Sequence, residues 1–156
     1  MVKKIDILLL KYEESHKNVT NKIIHWLCVP AIMFSLVGLL YSLPFIVTKS
    51  WYFNWASLLL LLVLVYYYRL SVPMFIGFVL LALLLLFGNF ELAQSVGDGQ
   101  NMMQTSLSIF AVAWILQFVG HKIEGKKPSF LQDLQFLLIG PAWLMHFIFN
   151  QFGIKY

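Results

Sequence analysis

Cysteine is nearly missing from this chain. Cys28 is the single thiol in 156 residues and lies inside an apolar run, which excludes an intrachain disulfide framework and a CxxC metal or redox motif. Charge is scarce as well. Asp, Glu, Lys and Arg make up 12% of the residues against 60% hydrophobic ones, so no polar stretch is large enough for a separate soluble domain. The formal charge of +4 is not gathered in a basic arm. The lysines stand beside apolar runs, where anionic lipid headgroups are the natural counterpart, and nucleic acid is not an expected partner. A secretory signal is lacking too: Ile7–Leu10 is too short an apolar piece and runs into K-Y-E-E-S, so the N-terminus is expected to be retained.

What is present is a series of apolar runs long enough for a bilayer core of about 30 Å. The expected architecture is a single all-α membrane domain over residues 1–156, a helical bundle of four to five spans. Lys3–Glu14 carries Ile5, Leu8, Leu9 and Tyr12 at helical spacing and reads as an amphipathic interfacial helix. The spans are expected near residues 23–43, 51–68, 72–92, 105–120 and 134–149. Pro30 should kink the first rather than end it. The aromatic clusters Trp51–Trp55 and Tyr66–Tyr68 mark the interfaces of the second. The short Arg69–Pro73 link makes the third span its antiparallel neighbour. Residues 93–104 read as a loop, and Ser129 with Gln132 as a capping box opening the last helix. That last segment, interrupted by Gly140-Pro141, is expected to be broken there, as a tilted span or a re-entrant pair of half-helices.

Basic residues near span ends stay on the cytoplasmic side. With the N-terminus inside, Lys3, Lys4, Lys11, Lys17, Lys22, Arg69, Lys122, Lys126 and Lys127 are cytoplasmic and Lys49 is not. His16, His25 and His121 then lie at one membrane face. Asn18, Asn21 and His25 fall at i, i+3 and i+7, a single polar stripe. His16 and His25 are about 900° of helical rotation apart, so both reach one site only if the chain turns near Ser15–Asn18, residue types that cap helices and make turns. Gln117, His121 and Glu124 form a second polar face, with Trp114 near it. Two readings stand side by side: interfacial caps and anchors, with His121 at a helix C-terminus and Glu124 paired to a lysine, or a metal or catalytic site, since ionisable groups in membranes are costly unless used. His146, one turn before Asn150, is a candidate fourth ligand or a buried, hydrogen-bonded ring.

The S-H-x-N-x-x-N-K-x-x-H start, Pro30 after it, the Q-F-x-G-H block with its following Glu and Pro, and the late Gly140-Pro141 occur here in that order. In these motifs the chain resembles the membrane-bound 2-hydroxy-fatty-acid dioxygenases, typified by the yeast enzyme of phytosphingosine breakdown. The resemblance covers nearly the whole chain, although the middle spans add little specificity. It implies Fe(2+), a 2-hydroxy long-chain fatty acid, O2 and loss of one carbon in alpha-oxidation. On that reading His16, His25, His121 and His146 are the metal ligands to test, with Asn18, Asn21, Gln117 and Glu124 supporting them. Lys22, Trp114 and Lys126 meet the substrate. Imidazole suits Fe(II); four histidines on an octahedral ion leave two positions and three leave three. The expected location is multi-pass, in a bacterial inner membrane or the endoplasmic reticulum. The competing class is a non-enzymatic membrane protein with a structural zinc or haem site, or a histidine-lined proton or ion path.

Overall fold

A computed structural model describes residues 3–125 and 130–156, the side chains of residues 130–136 excepted. These residues form six helices: α1 (Lys4–Glu13), α2 (Val19–Ser42), α3 (Trp55–Leu70), α4 (Val72–Val96), α5 (Gln100–Glu124) and α6 (Phe130–Gln151). Among the described residues there is no strand, and α2, α4 and α5 are long and apolar enough to cross a membrane, while α3 is a shorter apolar helix. Leu27, Leu62, Leu84 and Ile115 are exposed along these helices, a stable arrangement only for a chain whose surroundings are apolar. This is an all-helical membrane protein.

The chain divides into two compact units. The first comprises Met1–Pro30 and Ala113–Tyr156, the second Ala31–Val112.

In the second unit α3 and α4 form the antiparallel hairpin that their short link demands. Only Ser71 separates them, in extended conformation, and its hydroxyl accepts the Met74 N–H to cap α4. Tyr67 stacks on Phe78 with ring centroids 3.6 Å apart, and Ala56 packs with Val37, Leu85 and Leu86. Asn54 caps α3 reciprocally with Ser57, so Trp51–Phe53 lie outside the helix and the second apolar segment is shorter than its aromatic edges suggest. The polar stretch read as a loop over residues 93–104 shrinks to Gly97–Gly99. Gly97 and Gly99 hold φ of +92° and +66°, a backbone region that glycine enters without steric cost. The turn is therefore compact, and the polar residues on either side continue the helices.

In the first unit α1 packs on α6. Ile5, Leu9 and Tyr12, at i, i+4 and i+7, are buried, whereas Ile7 and Leu10 stay exposed. The apolar stripe expected to lie in the interface is thus covered by protein. The expected break at Gly140-Pro141 is not found: α6 is continuous from Phe130 to Gln151 with Pro141 inside it. The reason is close packing. A Cβ on Gly140 would stand 3.1 Å from the Tyr12 hydroxyl and 3.5 Å from Val29, so this glycine is a contact surface for α1 and α2 rather than a hinge. Pro30 likewise lies within continuous α2. The proposed Ser129–Gln132 capping box lies outside the described residues.

Candidate metal centre

The segment Glu14–Asn18 between α1 and α2 makes the turn that two nearby imidazoles require. Asn18 closes it: its side-chain oxygen accepts the N–H groups of Thr20 (2.9 Å) and Asn21 (3.3 Å), and its carbonyl accepts that of Lys22. This is an N-cap, the use to which asparagine is suited before a helix. The turn carries His16 back over the first turns of α2, where His25 stands. The end of α5 supplies His121.

The three rings meet. Centroid separations are 4.3 Å for His16–His25, 4.8 Å for His25–His121 and 5.4 Å for His16–His121. One nitrogen from each lies within 4.8 Å of the other two. His16 and His25 are fully buried. His16 Nδ1 donates to the Tyr12 carbonyl at 2.7 Å, and His25 Nδ1 donates to the Asn21 carbonyl at 2.9 Å. A carbonyl only accepts, so both neutral rings carry their proton on Nδ1 and keep the lone pair on Nε2. Burial pushes His16 down to about 4, against the opposing effect of its bond to Tyr12, so this ring is neutral at pH 7. Its Nε2 is buried without a hydrogen-bond partner.

Such an orphan in a native core needs an explanation. Imidazoles that ligate metals characteristically tie their other nitrogen to a carbonyl or carboxylate. Nitrogens sharing an ion at about 2.1 Å lie at most about 4 Å apart, so the observed spacing requires only a small contraction. With no thiolate among the donors, the set suits a first-row metal bound by nitrogen, iron included. The residues present fit a metal ion.

Tyr12 lies parallel beneath His16, with centroids 4.0 Å apart, and buried Trp143 is tilted against both at 5.3 and 5.6 Å. The sequence pattern marks neither as a site residue and places Tyr12 only in the apolar stripe of α1. For Tyr12 a signal existed: each buried histidine donates to the carbonyl four residues before it, Tyr12 to His16 and Asn21 to His25, a spacing visible in the chain. Trp143 gave no such signal.

The supporting residues fall into place unequally. Asn21 is fully buried and its amide donates to the Ser15 carbonyl (3.2 Å) and to Glu124 (3.1 Å). Glu124 also accepts the backbone N–H groups of Lys17 (2.8 Å) and Asn18 (2.9 Å). Gln117 is buried on α5, and Trp114 packs against Phe118. Lys22 is half-buried on the first turn of α2. Lys126 lies outside the described residues. His146 does not join the cluster. Its Nδ1 meets the Tyr156 hydroxyl, and its Nε2 accepts the Asn150 amide at 3.0 Å, so both nitrogens are occupied within α6 and the chain's last residues.

A helical membrane protein with three convergent histidines, two of them fixed as acceptors toward one point, belongs to the class of candidate metalloproteins. The family described as Mpo1-like, 2-hydroxy-palmitic acid dioxygenase Mpo1-like, matches residues 2–152, and the chain belongs to it. It is 30% identical over 142 residues to the 2-hydroxy-palmitic acid dioxygenase MPO1 of Saccharomyces cerevisiae, covering 89% of this chain and 76% of that protein. No solved structure matches.

Proposed function

We propose that this chain is an Fe(II)-dependent dioxygenase that shortens 2-hydroxy long-chain fatty acids by one carbon at the cytoplasmic membrane interface. The observation that carries the reading is the trio His16, His25 and His121, with one nitrogen of each within 4.8 Å of the others, in a chain whose family and yeast relative are named for a 2-hydroxy-palmitic acid dioxygenase.

These three histidines would hold the ion. Bound there, iron supplies redox chemistry toward O2 and coordination positions that three imidazoles leave open. The chain's own residues do the rest. The Tyr12 and Asn21 carbonyls fix the tautomers of His16 and His25, and Tyr12 and Trp143 exclude water from one side of His16. Lys22 stands one turn before His25 with a charge that attracts the carboxylate of an acid arriving from the lipid. His146, with both nitrogens engaged elsewhere, is left out of the ligand set.

The test is incubation of iron-loaded protein in detergent with 2-hydroxyhexadecanoic or hexadecanoic acid, with and without chelator, and analysis of the acids by mass spectrometry. The expected product is the acid one carbon shorter, from the hydroxy substrate alone, because the parent acid lacks the 2-hydroxyl that orients it together with the carboxylate. His16→Ala, His25→Ala and His121→Ala should each lose both metal and product, and His146→Ala should keep its metal. No shortening by folded, iron-loaded protein would refute the proposal.

A further inference from the structure

The turn bearing His16 is held from across the sequence by one carboxylate. Residues 15–18 lie between two helices and have few bonds of their own with which to fix a ligand. Ser15 and His16 bond back to α1, and Asn18 caps α2. The N–H groups of Lys17 and Asn18 converge instead on Glu124 at 2.8 and 2.9 Å. Successive backbone N–H groups in a turn ahead of a helix N-terminus make a concave site for an anion. Here the last residue of α5 fills it.

Asn21 completes the arrangement. Its amide joins Glu124 to the Ser15 carbonyl, so the carboxylate, the turn and the first turn of α2 form one hydrogen-bonded ring. Gly120 allows α5 to come so near: a Cβ there would collide with the Asn21 side-chain oxygen. Glu124 lies one turn beyond His121, so the helix end that presents one histidine also clamps the turn that presents another.

We infer that Glu124 is a positioning residue: by accepting the Lys17 and Asn18 N–H groups it sets where His16 stands relative to His25 and His121, and so sets metal affinity without touching the ion. This rests on the metal reading above and deepens it. Charge and reach are both needed. A glutamine in its place would turn an N–H toward one of two donors, and an aspartate would be a methylene too short.

The test compares wild type, Glu124→Gln, Glu124→Asp and Glu124→Ala, with exposed Lys122→Ala as control. Backbone hydrogen exchange at Lys17 and Asn18 reads the clamp itself, and Co(II) binding, followed by its visible spectrum and by chelator competition, reads the site. Exchange at both amides should quicken at least about 10-fold in Glu124→Ala. Co(II) affinity should fall by about 10- to 100-fold, the range for residues that orient ligands, with an altered spectrum. Glu124→Gln and Glu124→Asp should lie between, and Lys122→Ala should match wild type. A general loss of stability would lower the melting temperature but leave the spectrum of the bound ion unchanged, and that outcome would also count against a positioning role. Wild-type affinity and spectrum in Glu124→Ala would overturn the inference. Failure of wild type to bind Co(II) or iron would instead refute the metal reading, and the exchange data would still show whether Glu124 holds the turn.

Discussion

At the scale of single residues, the histidines are prepared for a ligand by what surrounds them. His16 is buried, bonded through Nδ1 and left with an unpartnered Nε2. This has a consequence for stability that can be read without substrate. Its folded value of about 4 lies below the ordinary value of 6.5, so between these pH values the unfolded chain binds more protons than the folded one. The stabilisation from keeping the ring neutral is complete above about 6.5 and is lost as pH falls toward 4. By pH 5 the loss is about 2 kcal/mol, at 1.36 kcal/mol per unit. In chelator-treated protein the thermal midpoint should therefore fall between pH 7 and pH 5, and His16→Asn should flatten that fall. Equal slopes in the two proteins would show that His16 is not held neutral.

At the scale of elements, the contacts that position the trio are made by small residues. Gly140 lets α6 lie against Tyr12, and Tyr12 in turn backs His16. Gly140→Ala gains about 1 kcal/mol of helix propensity but overpacks a site whose neighbour, a stacked and buried tyrosine, has little room to yield, a cost of about 1–3 kcal/mol. A net loss of about 1 kcal/mol is expected, together with weaker metal retention as Tyr12 presses on His16. Thermal unfolding and metal analysis of the same preparation check both. A more stable variant with full metal content would show that α1 and α6 do not share this contact. Pro141 needs no such explanation. Its missing N–H is tolerated inside α6 as that of Pro30 is inside α2, which is common where neighbouring segments re-satisfy a freed carbonyl.

At the scale of the whole molecule, the proposed orientation follows from the basic residues. Lys17 precedes α2 and Lys122 lies at the end of α5, and the Glu124 clamp brings these two chain positions to one end of the first unit. With the N-terminus cytoplasmic, cysteines substituted at Lys17 and Lys122 should resist a membrane-impermeant thiol reagent in intact cells and react after permeabilisation. Labelling of either from outside would reverse the orientation and place the histidine trio on the opposite face.

The sequence by itself determined the helical class and pointed His16, His25 and His121 toward one membrane face, because burial in lipid leaves backbone groups no option but helix and because periodicity shows which face of a helix is polar. It also contained the turn between His16 and His25, since asparagine and serine there compete with the helix for its own N–H groups. Only the tertiary structure decided the partners. That α1 buries its stripe on α6, that Gly140 is a contact rather than a break, that His146 turns to Asn150 and Tyr156, and that Glu124 grips the backbone N–H groups of Lys17 and Asn18 all depend on which surfaces the chain path brings together. Periodicity reports the side of a helix on which a residue lies, but a hydrogen bond or a close packing contact exists only once the neighbour is in place.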